Sequence, residues 1–253
     1  MKNRFLLKKI VPVCCLTLAM SILVFQHKRN DKQIALPAVN QNSIVIELFT
    51  SQGCSSCPPA DALVGELIHV NDVVVLSYHV DYWDRLGWKD TFSSPEHSAY
   101  QRRYTKQLHV NTYTPQIVVN GNREFVGSNK RELNAHLKSH STVAQLESPV
   151  VKRSGNAIIA DYELETVATD VQVFAILVLD EEYVTIKRGE NSDKKINYHN
   201  VVIEKVPLDT TNSAGSHTFT IPLTDSKSKK YKVVLLAQDK DLKITAVSVS
   251  KSC

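Results

Sequence analysis

The chain of 253 residues carries almost no charge imbalance beyond its first nine residues. Lys2, Arg4, Lys8 and Lys9 account for it: 30 − 4 leaves 26 Lys and Arg against 26 Asp and Glu. A body without a basic footprint offers nothing to a phosphate backbone, so nucleic acid is excluded as a partner. Cysteine is also scarce. Of five, Cys14 and Cys15 fall in an apolar N-terminal run, leaving Cys54, Cys57 and Cys253. Three do not make a multi-disulfide framework. There is no internal repeat and no low-complexity segment, which removes solenoids and arrays. What is present is 43% hydrophobic residues, enough for a sizeable core and for two domains.

The four early cations precede Ile10–Phe25, a stretch without a charge. A basic start followed by an apolar run reads as an export signal. At 1.5 Å per residue the run would span roughly 24 Å as a helix, short of a bilayer core of about 30 Å. No small-x-small cleavage site follows, only His27, Lys28, Arg29 and Asn30. Residues 1–27 are therefore a signal peptide or an uncleaved signal anchor, and 28–42 a polar linker. Either way the expected address is the periplasm or cell envelope, where disulfides persist, with the N-terminal segment as the membrane contact.

Cys54-Ser55-Ser56-Cys57 follows the apolar run Ile44–Phe49 and precedes a helix-like stretch opening on Pro58-Pro59. Amide N–H groups and the helix dipole at such a position lower a cysteine pKa from about 8.5 towards 7 or below, giving a thiolate at neutral pH. The spacing i to i+3 also brings the sulfurs within bonding reach. Downstream, the pattern predicts a helix over 58–70, with Ala62, Leu63, Leu67 and Ile68 on one face, and a buried parallel strand over Val73–Tyr78. A Ser94-Pro95 start opens a second helix to about Leu108. Pro115–Gly121 and Arg123–Val126 form a hairpin through Asn120-Gly121, and a third helix covers 128–139. The order β-α-β-α-β-β-α over 43–146 predicts a thioredoxin fold.

Beyond Gln145 the texture changes. Ile158, Ala160, Tyr162 and Leu164 alternate with polar neighbours, and further strand-like runs occur at Val171–Leu179, Ile196–Val206, His217–Leu223, Tyr231–Gln238 and Leu242–Val249. Strands without helices predict an all-β sandwich domain over 147–253, with the boundary near Ser148-Pro149. The expected fold class is thus an α/β thioredoxin fold followed by a β-sandwich.

Several stretches resemble the exported thioredoxin-like proteins of domain-of-unknown-function family 1223. They are Glu47-Leu48-Phe49-Thr50-Ser51-Gln52-Gly53-Cys54-Ser55-Ser56-Cys57-Pro58-Pro59-Ala60-Asp61, then Ser77–Asp84, Leu86–Asp90, Tyr113–Gln116 and Val119–Gly121. In the second half Arg188–Asn191 and Tyr198–Val202 extend the match. The resemblance implies thioredoxin chemistry. In it an exposed Cys54 attacks a disulfide of a protein or small molecule, and Cys57 resolves the mixed disulfide. It also implies a cis Pro115 facing the dithiol, leaving the backbone of Thr114 free to pair with substrate. Gly53 stands where thioredoxins place a tryptophan, and Ser55-Ser56 matches neither thioredoxin nor the strongly oxidising enzymes, so the direction of reaction stays open.

Around this pair, Glu47 is a candidate proton acceptor if it lies beneath the dithiol, and a buried bystander if its strand turns it to the other face. His79, Trp83 and Trp88 follow the second strand and form either a substrate platform beside Cys54 or a structural loop. Arg188–Asn191 and His199-Asn200 either dock the two halves together or make a second polar site. No cofactor is implied. Two other classes remain: copper(I) handling through Cys54, Cys57 and His79, and a non-catalytic binding module stapled by the disulfide.

Overall fold

A computed structural model describes residues 43–139, 142–164, 170–222 and 228–253. The expected signal or anchor and the linker, residues 1–42, lie outside the described residues. Among the described residues no helix is long and apolar enough to cross a membrane.

β1 (Ile44–Thr50) and β2 (Val73–His79) lie parallel, with Ile44 opposite Val73 and Thr50 opposite His79. α1 (Pro58–Leu67) connects them. A short 3-10 turn at Asp84–Leu86 leads to α2 (Pro95–Leu108). This helix starts where the sequence says it should: Ser94 is extended, its Oγ accepts from the Glu96 and His97 amides, and Pro95 has no amide to leave unpaired.

β3 (Gln116–Val119) pairs antiparallel with both β1 and β4 (Arg123–Val126). The intervening Asn120 and Gly121 have φ of 48° and 72°. Only glycine fits the second position, because a Cβ there would stand 2.0 Å from the Leu242 carbonyl oxygen. α3 (Lys130–Lys138) follows, capped by Asn129.

The rest is strand: β5 (Ala144–Gln145), β6 (Val150–Ser154), β7 (Ala157–Glu163), β8 (Val171–Thr185), β9 (Lys195–Pro207), β10 (Ala214–Thr220), β11 (Tyr231–Asp239) and β12 (Ile244–Val249). A nine-stranded sheet has the order β4-β3-β1-β2-β9-β8-β11-β12-β5, and a three-stranded sheet the order β10-β7-β6. β8 and β9 run past their apolar stretches as one hairpin, paired from Phe174–Pro207 out to Thr185–Lys195.

The Ser148-Pro149 junction falls between β5 and β6, yet hydrogen bonding crosses the chain's two halves. β9 lies along the outer edge of β2, with Ser77 opposite Val201, and the Ser77 hydroxyl donates to the His199 carbonyl at 2.8 Å. An unpaired β2 edge would expose ladder groups; β9 meets that edge at Ser77.

Three apolar clusters hold the layers. The first lies between the small sheet (Ile158, Ala160, Phe219) and the face of β8 and β11 (Ala175, Leu177, Val233, Leu235). The second, under α2, joins Val45, Phe49, Leu76 and Tyr100 of the first half to Ile176, Val202 and Leu236 of the second. The third packs Ile46, Leu48, Val75 and Ile117 against Ala60, Leu63 and Val64 of α1, with Leu133 of α3. Because strand side chains alternate, even-numbered residues of β1 face α1 and odd-numbered ones face α2.

Candidate functional site

Cys54 and Cys57 are disulfide-bonded, with Cα atoms 5.4 Å apart, at the start of α1. Cys57 occupies the N-cap position and makes no side-chain cap. Pro58 and Pro59 carry no N–H, and the Ala60 and Asp61 amides donate to the Cys57 carbonyl at 2.8 and 3.1 Å, so the helix gives the dithiol the positive end of its dipole but no free amide. Both cysteines are fully buried, whereas Ser55 and Ser56 are exposed. This differs from the exposed Cys54 that the resemblance implies, and the cause is visible in what covers it.

One cover is the loop after β2. Gly53 lies against Trp83; a Cβ on Gly53 would meet the tryptophan Cβ at 3.1 Å. The absence of a side chain at 53 is thus what lets an indole approach from a different part of the chain. The Trp83 indole N–H donates to Thr114 Oγ1 at 2.8 Å, and Ser56 Oγ lies 3.4 Å from both Cys54 Sγ and the Thr114 carbonyl. The Thr114–Pro115 peptide is cis and Pro115 is buried. Trp88 is half-buried and donates to Gln52 Oε1 at 2.9 Å. Trp83, Thr114, Pro115 and Trp88 are therefore all brought to the dithiol loop.

The other cover comes from the second half. Fully buried Asn191, in the connection between β8 and β9, donates its amide hydrogens to the carbonyls of Gln52 (3.0 Å) and Cys54 (2.8 Å). Its Oδ1 accepts from Lys194 Nζ at 2.8 Å.

Beneath the dithiol, on the α1 face, lies a buried polar chain. Asp61, one helical turn after Cys57, accepts from Thr50 Oγ1 at 2.8 Å through Oδ1, while Oδ2 has no protein partner. Burial pushes its carboxyl up to about 7, against the opposing pull of His79 and the Thr50 hydroxyl. Thr50 sits beside His79 in the β1–β2 ladder.

His79 is fully buried, its Nδ1 2.7 Å from Asp90 Oδ2, its ring between Phe92 and Tyr198 at centroid distances of 5.3 and 4.9 Å. Burial pulls the imidazole down, but the Asp90 carboxylate outweighs it and holds it above its usual value. Burial alone would raise Asp90, yet His79 and the amides of Gln52 and Phe92 keep it below the usual carboxylate range. The two form an interior ion pair. A residue this enclosed contributes to the floor of the site and gives no platform surface to a substrate.

Glu47 lies elsewhere. As an odd-numbered residue of β1 it faces α2, where it is fully buried and accepts from the hydroxyls of Tyr100 (3.0 Å) and Tyr104. Burial raises its carboxyl, partly offset by Lys205. The Lys205 ammonium nitrogen is buried 3.5 Å from the Tyr100 ring centroid and 4.4 Å from that of Phe174, beside a cavity of about 520 Å³. Burial lowers the amine to about 7. Of the two placements open to Glu47, the structure has the one away from the dithiol.

Asp61, Thr50, Asp90 and Tyr198 were not singled out by sequence reasoning. Asp61 was within reach: it is the one acid among Ala60, Leu63, Val64 and Leu67 on the buried face of α1. Among the described residues no group of three or more His, Cys, Asp or Glu is placed to hold a metal ion.

These features define a class: a mixed-sheet protein with a C-x-x-C disulfide where a parallel strand meets a helix. The chain belongs to the family described as protein of unknown function DUF1223, which it matches over residues 45–238. A crystal structure of a protein from Agrobacterium tumefaciens is similar at 29% identity and a TM-score of 0.57, over 81% of this chain and 92% of that one. HBP35 of Porphyromonas gingivalis shares the fold at a TM-score of 0.56 with 9% identity, over 83% of this chain and 74% of that one. No curated protein matches the chain.

Proposed function

We propose that the protein is an exported thiol–disulfide oxidoreductase, with a thioredoxin-like half over 43–146, a β-sandwich half over 147–253, and Cys54 and Cys57 as the reacting pair. The observation that carries this reading is the disulfide itself, seated at the N-terminus of α1 with the Thr114 carbonyl beside it across Ser56. Export rests on the charge pattern of the first residues, and the redox direction is left open.

In the reducing direction the Cys54 thiolate attacks one sulfur of a substrate disulfide, and the other sulfur leaves as a thiolate. Cys57 then loses its proton and attacks Cys54 Sγ. The Cys54–Cys57 bond forms, the mixed disulfide breaks, and the second substrate thiolate departs. Asp61, one helical turn after Cys57, buried and with a carboxylate oxygen that has no protein partner, is the acid we assign to take the Cys57 proton, by way of a bridging water. Trp83 and Thr114 shape the rim. The oxidising direction runs the same steps backwards.

One observation favours a second reading, a structural staple: neither cysteine has accessible surface. The redox potential of the full chain, equilibrated against glutathione, separates the two. A working oxidoreductase is expected between roughly −120 and −270 mV, whereas a value well below about −300 mV marks a staple and overturns the proposal. The same titration with copper(I) present tests whether metal protects the thiols.

A further inference from the structure

We propose that the β8–β9 connection, residues 186–194, is the specificity element of the dithiol site: pinned by Asn191, it admits low-molecular-weight disulfides and thiols and holds folded protein disulfides off. The inference rests on the oxidoreductase reading above and names the substrate class for that same site.

The connection is the tip of a long hairpin, and it is closed on itself. Ile186 N–H donates to the Lys194 carbonyl at 3.0 Å, Asp193 N–H to the Ile186 carbonyl at 2.8 Å, and Ser192 N–H to the Gly189 carbonyl at 3.1 Å. Of its residues only Ile186 and Asn191 are buried; the others are exposed. Ile186 anchors the base of the connection, and Asn191 is the polar side chain that ties its solvent-facing tip to the loop of Gln52–Cys54. Its hydrogen-bonding capacity is used in a way that suits a latch: both amide hydrogens go to carbonyls of the dithiol loop, and the oxygen is taken by Lys194 of the tip itself.

The tip also lies against the loop that carries the tryptophans. The Cβ position of Gly189 is 3.5 Å from Trp88 Cβ and 3.8 Å from the Leu86 carbonyl oxygen. Cys54 is thus enclosed from two sides, by Trp83 at Gly53 and by the tip at the Cys54 carbonyl. Thiol–disulfide exchange needs the attacking sulfur to reach a sulfur of the other disulfide, and a fully buried sulfur offers no approach until something moves.

The size of the movement sets the substrate. A small disulfide needs the latch to open only locally, at the cost of a few hydrogen bonds. A disulfide embedded in a folded protein brings its surrounding surface with it, and that surface collides with the hairpin tip unless the tip swings away as a unit. The latch sits where it penalises the second event more than the first.

The test uses the full-length reduced chain and two probes, hydroxyethyl disulfide and insulin, with rate constants read by quenched-flow and chromatography. The wild type is expected to react with hydroxyethyl disulfide and much more slowly with insulin. Asn191→Ala is expected to raise the insulin-to-small-disulfide rate ratio about tenfold, the factor given by about 1.4 kcal/mol of lost latch energy. Lys194→Ala, an exposed position that frees only the Asn191 oxygen, is expected to move the ratio the same way by less, and stands in if Asn191→Ala does not fold. Equal rates for both probes in the wild type, or a ratio unmoved in both variants, overturn the proposal while leaving the oxidoreductase reading intact. If wild type and variants are all inert to both probes, with thiols that titrate only after denaturation, the oxidoreductase reading fails and takes the latch with it.

Discussion

At the scale of single residues the most consequential side chain is Asp61. A carboxyl held at about 7 in the fold and near 3.8 in the unfolded chain is a stability statement. The unfolded chain ionises first, so between those values the folded state binds more protons and stability falls as pH rises. The loss is complete once the folded group has ionised, above about 7. Asp61→Asn keeps an acceptor for Thr50 and removes the titration. The variant is therefore expected to gain on the wild type as pH climbs from 4 to 8, by about 4 kcal/mol at most. Denaturant midpoints taken at both pH values check this; a gap that shrinks with rising pH would show that Asp61 is not a buried acid. The neighbouring His79–Asp90 pair contributes with both signs. The His79 part is lost as pH rises through its elevated folded value, and the Asp90 part as pH falls through its depressed one.

At the scale of elements, α2 shows how far local rules reach. Ser94 and Pro95 mark its start in the sequence, and Ser94 Oγ accepts from two amides in the structure. Ser94→Ala should destabilise the protein by about 1 kcal/mol. Urea denaturation checks the value, and no change at all would mean the cap is replaced by solvent at no cost. Elsewhere local reading stops short for a physical reason. In α1 the sequence suggests an inward stripe through Ala62 and Ile68, but the buried residues are Ala60, Asp61, Leu63, Val64 and Leu67, with Ala62 exposed. A stripe rotated by one position keeps the helix and changes which polar residue is inside, which brings Asp61 into the core. The same limit applied to Glu47, where the face could be decided only by which helix packs on odd-numbered residues of β1. Asn191 shows the opposite gap: its stretch stands out in the sequence, but its bonds to Gln52 and Cys54 span more than a hundred residues and leave no periodic trace.

At the scale of the whole molecule, the two halves share a sheet and a core, a feature that no boundary signal near Ser148-Pro149 foretells. β2 meets β9 edge to edge, and the cluster beneath α2 takes side chains from both sides of that junction. The β3–β4 turn fastens them again: the Asn120 carbonyl accepts from the Ile244 amide at 3.0 Å, and Gly121 lies against the Leu242 carbonyl. Halves joined this way should unfold together. Fluorescence of Trp83 and Trp88 reports on the first half, and far-ultraviolet dichroism is dominated by the strands, so the two melting curves are expected to coincide. Gly121→Ala places a Cβ 2.0 Å from a backbone oxygen and forces alanine to a φ of 72°. A cost of about 2 kcal/mol or more follows, which lowers the melting temperature by about 5 °C in a domain of this size. Both curves must move by the same amount. If only the fluorescence curve shifts, the halves are energetically separate, and the shared sheet is a contact between domains that fold on their own.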